Sequence, residues 1–180
     1  MNKKKGITLI ELIMVVSLFA ILAGAIAFVF GVFLREFSST HIRGNLRQDA
    51  IIAVERLTRE LNEAREITSA QANSVSFWWQ DTDGDDLRDS SEVVTFSWDG
   101  TAGTALERDS VKLALNIENF QIAYRNLNNS LLSPSPDLSL VNRDSIRRLD
   151  IQLKLSKEDE EFTLITSIIP RNLRQVRGPW

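Results

Sequence analysis

Cysteine is missing from the 180-residue chain. That excludes disulfides, thiolate metal sites and a thiol nucleophile. Histidine occurs once, at position 41, in a polar stretch where it reads as a solvated side chain rather than a ligand. A metal site or an acid–base pair built on two imidazoles is excluded with it. Proline is scarce as well: the first of 4 stands at position 134, so none interrupts a helix before that point. No nucleophile motif is present, and no spacing of carboxylates points to the one remaining hydrolytic chemistry, so the chain does not read as an enzyme. The last absence is of charge. From Leu12 to Leu34, 23 consecutive residues carry none.

That uncharged run defines the N-terminal part. As a helix it would be roughly 35 Å long, enough to cross a hydrocarbon core about 30 Å thick. It is preceded by Lys3, Lys4 and Lys5, then Gly6, then Ile7-Thr8-Leu9-Ile10-Glu11. The lysines predict a cytoplasmic N-terminus with the remainder outside. Glu11 is the anomaly, because a carboxylate placed in an apolar span costs roughly 3 kcal/mol and implies a function. A secretory signal peptide offers a different reading, with small-residue sites at Ala23-Gly24-Ala25 and Ala25-Ile26-Ala27. Its apolar core would then be interrupted by Glu11, and Phe28 to Leu34 would remain strongly apolar beyond the cut. A plain single-pass anchor explains length and lysines but gives Gly6 and Glu11 no purpose.

The order basic cluster, Gly, apolar residues and a Glu five positions after the Gly resembles the class III signal of type IV pilins and type II secretion pseudopilins. The resemblance rests on KKKGITLIE and covers about the first 30 residues. It implies cleavage between Gly6 and Ile7 by a prepilin peptidase and N-methylation of Ile7. It further implies that Glu11 neutralises the new ammonium of a neighbouring subunit and sets its axial register. The local alternative is a Thr8-x-x-Glu11 capping box, with the acid complementing the helix macrodipole. One departure is Phe28, which stands where many major pilins carry a proline. Gly24 and Gly31 are therefore the weak points of the span, and they favour close helix packing.

Beyond the span, Leu46, Ala50, Val54, Leu57, Leu61 and Ala64 recur three or four residues apart, the stripe of an amphipathic helix. Glu55, Arg59 and Glu63, and Arg56 with Glu60, form i,i+4 ladders on what reads as a solvated face. Ser38-Ser39-Thr40 and Gly44 mark a junction that bends or loosens. From Val75 the period becomes two. Strands are predicted at Val75–Trp79, Val93–Trp98 (closed by Asp99-Gly100), Phe120–Tyr124 and Leu149–Leu155, and a charged turn then leads to a hairpin partner at Phe162–Ile169. A long helix followed by antiparallel strands is an α+β arrangement, and it is the pilin-like fold the resemblance implies. The expected division is a leader at 1–6, a transmembrane and filament-core helix at 7–34, its amphipathic continuation at 35–68, and a β-rich extracytoplasmic domain at 69–180.

Two further segments carry chemistry. Asp81-Thr82-Asp83-Gly84-Asp85-Asp86-Leu87-Arg88-Asp89-Ser90-Ser91-Glu92 places carboxylates at positions 1, 3, 5, 9 and 12 of a twelve-residue calcium loop. Asp81, Asp83, Asp85, Asp89 and Glu92 are thus candidate calcium ligands. Asp86 stands where such a loop needs Gly, and strand-like flanks argue for a calcium-clamped hairpin over an EF-hand. The competing reading is a solvated acidic turn. Secretion pseudopilins that bind calcium add to the first reading by resemblance only. At the other end, Arg171, Arg174 and Arg177 make a basic segment before Gly178-Pro179-Trp180, read as a frayed end ahead of a docking arm.

The formal charge is −3, and loss of three lysines on cleavage leaves 18 basic against 24 acidic side chains. That balance disfavours nucleic acid as a partner. The Asp-rich turn, Ile117-Glu118-Asn119-Phe120 and Ile169-Pro170-Arg171-Asn172-Leu173 resemble the J or W type of minor pilin and pseudopilin. The implied partners are the prepilin peptidase, other pilin or pseudopilin subunits, the inner-membrane assembly platform and the membrane. The implied location is the bacterial inner membrane and then a filament. Because Glu11 is retained, the resemblance implies a subunit within the helical core and not the extreme tip.

Overall fold

The computed structural model describes residues 8–171 and 173. The chain forms two compact units, Met1–His41 and Ile42–Trp180. The first consists of the N-terminal part of helix α1, which spans Leu9–Glu63. Residues 8–38 are exposed throughout, as a bilayer-spanning or helix-packing segment requires. By length and composition this helix is able to cross a membrane. Ser38-Ser39-Thr40 and Gly44 lie within this helix, which no proline interrupts. Phe33 and Phe37, one turn apart, stack with ring centroids 6.3 Å apart.

In the second unit, the C-terminal part of α1 lies against an antiparallel sheet. The strands are β1 (Glu66–Ala70), β2 (Ser74–Trp78), β3 (Val93–Ser97), β4 (Thr104–Arg108), β5 (Val111–Arg125), β6 (Leu131–Leu132), β7 (Arg148–Lys157) and β8 (Glu160–Ile168). A short helix α2 (Leu140–Asp144) precedes β7. Sheet order is β1-β2-β3-β4-β5-β7-β8, with β6 paired to β5. Antiparallel sheets of this kind keep one face dry, and the residues show it. Leu149, Ile151, Leu153 and Leu155 of β7 are buried, while Asp150, Gln152 and Lys154 face away from them. All six residues of the helical stripe, from Leu46 to Ala64, are buried in the same core, joined by Ala50's neighbour on the stripe, Ala53. Phe77 and Phe96 stack across the β2–β3 pair at 6.0 Å. Burying each such side chain stabilises the fold by about 1.5–3 kcal/mol.

Three expectations need correction. The helix stops at Glu63, and residues 66–68 belong to β1 rather than to a helix reaching 68. Ile67 and Thr68 are β-branched, and the ladder captures them: Arg65 N–H donates to the Trp78 carbonyl at 2.8 Å, and Ile67 pairs with Phe77. Trp79 lies beyond the end of β2. Glu60, placed on a solvated ladder, is only 2 % exposed. Its carboxylate accepts from Arg108 Nε at 3.0 and 2.8 Å and from Arg56 Nε at 3.0 Å. A buried carboxylate persists when its charge is paired and its lone pairs are used, as here.

Candidate functional site

At the N-terminus the local sequence explains the helix start. Thr8 is the residue before α1, and its side chain accepts the Glu11 N–H at 3.3 Å. In return, Glu11 Oε2 accepts from the Thr8 N–H and hydroxyl, each at 3.2 Å. This is a reciprocal capping box, contributing about 1 kcal/mol to the helix end. Among the described residues both bonds use Oε2, and a carboxylate has about four acceptor sites, so the capping box does not use up the acceptor capacity of Glu11. The capping box and an intermolecular role are therefore compatible. Gly6 and Ile7, the expected cleavage and methylation residues, lie outside the described residues.

The acidic loop joins β2 to β3, entering a short 3-10 turn at Ser90–Glu92. Carboxylate oxygens of Asp81, Asp83 and Asp85 lie within 4.8 Å of one another. Asp89 and Glu92 do not join them. Glu92, 4 % exposed, accepts from Trp78 Nε1 at 3.1 Å, from the Thr82 hydroxyl at 3.0 Å and from the Thr82 and Asp89 N–H groups. The Thr82 N–H leads the causes that hold its carboxyl below the usual 4.5, against the upward push of burial. Glu92 thus ties the loop to β2 from inside. Its role was signalled by the spacing Asp89-x-x-Glu92, a capping-box pattern.

The three clustered acids also have partners. Asp81 accepts from Gly84 N–H at 2.7 Å and Asp86 N–H at 3.1 Å, and Arg65 Nη1 bridges Asp81 and Asp86 at 3.2 and 3.0 Å. Asp83 and Asp85 each accept the N–H two residues on. Asp86 adopts φ +62°, so an aspartate supplies the left-handed turn for which a calcium loop normally uses Gly. The same Arg65 stacks over Trp78 at 5.1 Å, fixing the base of the loop. Chemically, the cluster offers up to three oxygen-donor side chains to a hard cation, in competition with Arg65.

The other charged cluster, missed in the sequence, is Glu60–Arg108 with its surroundings. Arg108 lies over the Trp79 ring at 5.5 Å, and Trp79 Nε1 donates to Glu63 at 2.9 Å. The signal for it was a glutamate three residues after Leu57, on the buried stripe itself. The arrangement joins the end of α1 to β4 and has a structural role.

The described residues thus give an apolar helix with an acid in its first turn and, in the second unit, a helix packed on a sheet. Residues 1–27 match the family model of the prokaryotic N-terminal methylation motif. No curated protein and no solved structure matches the chain. The chain therefore carries, over its first 27 residues, the prokaryotic N-terminal methylation motif, which is the class III signal of type IV pilins and pseudopilins. In proteins that bear it, that signal goes with processing by prepilin peptidase, membrane anchoring and assembly with other pilins. The α+β, pilin-like fold expected from the sequence is the one observed.

Proposed function

We propose that the chain is a minor pilin or pseudopilin of the J/W type. Cut between Gly6 and Ile7, it helps initiate or cap assembly of a type II secretion pseudopilus or a type IV pilus. The observation that carries this reading is the signal Lys3–Glu11, matched as part of residues 1–27 and followed by an uncharged helical span. In this reading the N-terminus is cytoplasmic, and the domain from Ile42 onward lies outside the inner membrane until the subunit enters the filament.

Glu11 neutralises the ammonium freed at Ile7 of the adjacent subunit. Support comes from the acceptor capacity that the capping box leaves on Glu11 among the described residues and from the electrostatics of a nonpolar medium, where each charge is far better placed paired than alone. The absence of proline in α1 supports a subunit whose helix remains intact on assembly.

The calcium proposal narrows to Asp81, Asp83 and Asp85, with Asp89 and Glu92 given to the loop's own support. The alternative function is an uncleaved single-pass protein with an extracytoplasmic ligand-binding domain, in which Glu11 serves only the capping box. Replacing Glu11 with Leu separates the two. Membrane insertion persists while co-purification with filament subunits falls at least about tenfold, the loss of roughly 1.4 kcal/mol of pairing. Undiminished incorporation of E11L would remove the assembly role of Glu11, whereas an intact leader and no co-purifying filament subunits for the unaltered chain would favour the uncleaved alternative.

A further inference from the structure

Of the large apolar side chains exposed in the second unit, four gather at one end of the sheet. The first half of β5 lies beside Ile42 and Leu46, which share a cleft with Leu115 and Asn116, and the strand runs to Arg125 at the opposite end. There the register sets Leu131 of β6, Arg125 of β5 and Arg148 of β7 in one row. The Arg147 N–H donates to the Arg125 carbonyl at 2.8 Å, which brings α2 and the turn after it beside that row. Leu127, Leu131, Leu140 and Val141 are all more than half exposed. Apolar side chains gathered at a surface in this way mark a contact face.

The charge around them is positive. Residues 125–150 hold four arginines and three aspartates, in a chain that is acidic as a whole. Asp137 is turned to β1, where it accepts from the Ala70 N–H and the Ser69 hydroxyl. Asp150 alone serves both Arg125 and Arg148. Arg147 Nη1 donates to the carbonyls of Asp144 and Ile146. Among the described residues Arg143 forms no ion pair, and its Nε has no hydrogen-bond partner. Such a face calls for an occupant that sets carboxylates around an apolar side chain.

The acidic loop between β2 and β3 has that chemistry. Residues 81–92 carry five aspartates and one glutamate against one arginine, a net charge of −5. Amid them Leu87 is 66 % exposed, between Asp85-Asp86 and Asp89. Within one copy the loop and the face hang from opposite ends of β1. Arg88 ties the loop to Glu66 at 2.7 Å, while Asp137 ties the segment before α2 to Ala70. Four strand steps, about 13 Å, separate these anchors.

We propose that a second copy of the chain docks its acidic loop on this face, with Leu87 among Leu127, Leu140 and Val141 and the loop's aspartates on Arg143 and Arg147. Charge complementarity decides the occupant, since both halves of the contact belong to this chain. Loop and face are different surfaces, so the contact is heterologous and repeats from copy to copy. It uses the second unit alone and depends neither on cleavage at Gly6 nor on Glu11.

The test mixes two populations of the full-length chain in detergent and chelator, and exploits the lack of cysteine. One population carries Leu87→Cys. The other, distinguished by a tag, carries Leu127→Cys, Leu140→Cys or Val141→Cys in turn. Oxidation is expected to link the two populations through at least one pair, since a disulfide requires Cα atoms within about 7 Å. Reversing the loop's charge (Asp83→Lys with Asp85→Lys) or the face's charge (Arg143→Glu with Arg147→Glu) in both populations is expected to lower the yield about tenfold. Both reversals together are expected to restore it, which a variant that merely misfolds does not do. Absence of every loop-to-face disulfide, a yield unchanged by either reversal, or no recovery when the two are combined each overturns the proposal.

Discussion

The pairing of Glu60 with Arg108 gives a prediction whose size follows from burial. Glu60 has a side chain 3 % exposed and Arg108 one 16 % exposed, and the guanidinium bonds both carboxylate oxygens. Arg108→Met removes this partner and leaves a buried carboxylate held by Arg56 alone, whose side chain is 38 % exposed. Breaking one side of a buried pair typically costs about 3–5 kcal/mol, and the remaining Arg56 places this case near the lower end, about 3 kcal/mol. For a domain of this size each kcal/mol lowers Tm by about 2–4 °C, so a fall of roughly 6–12 °C is expected. Glu60→Met combined with Arg108→Met removes both charges and fills similar volume, and it is expected to cost no more than about 1 kcal/mol. The assay is thermal unfolding of the full-length chain in detergent, followed by circular dichroism. Single and double variants form a cycle with an expected coupling of about 2–3 kcal/mol. A loss below about 1 kcal/mol for Arg108→Met, or a double variant as damaged as the sum of the singles, would refute the reasoning.

Two further outcomes concern the acidic loop. Millimolar calcium is expected to raise the Tm of the intact chain, since extracellular sites bind in the range of about 10⁻⁴–10⁻³ M, and Asp83→Ala is expected to abolish the rise. An intact chain that melts identically in calcium and in chelator leaves the loop as a turn closed by Arg65. Glu92 has a folded-state carboxyl pKa held below its ordinary 4.5. The unfolded state therefore binds more protons, and the stability that Glu92 contributes is complete above 4.5 and is lost as pH falls through the folded value. Glu92→Gln is accordingly expected to flatten the acid limb of the Tm–pH curve, and an unchanged acid limb would count against that role.

Much of the architecture was legible because burial imposes a period. The α1 stripe from Leu46 to Leu61 and the alternation Leu149, Ile151, Leu153, Leu155 each mark one dry face. Where the period breaks, legibility fails. In β5 the buried positions are Ala114, Ile117, Phe120, Ile122 and Tyr124, three apart and then two. Asn116, at φ +58°, precedes a register shift between Ile117 and Asn119, so only the half after the bulge reads as a strand. β4, Thr-Ala-Leu-Glu-Arg, is composed mainly of good helix formers, and its strand state is imposed by pairing with β3 and β5. At the N-terminus the motif was complete in the sequence, and the structure adds the capping bonds at Glu11. In the loop, spacing alone suggested five ligands. Side-chain direction separates Asp81, Asp83 and Asp85 from Glu92, which turns inward to Thr82 and Trp78.

The most direct test is the N-terminal residue and mass of the chain purified from its native membrane, with the prepilin peptidase present and absent. The account predicts a chain beginning at N-methylated Ile7 when the peptidase is present, and an uncut leader when it is absent or when Gly6 is replaced by Val. An unmethylated chain retaining Met1 in the presence of the peptidase would contradict it, as would a start near Phe28.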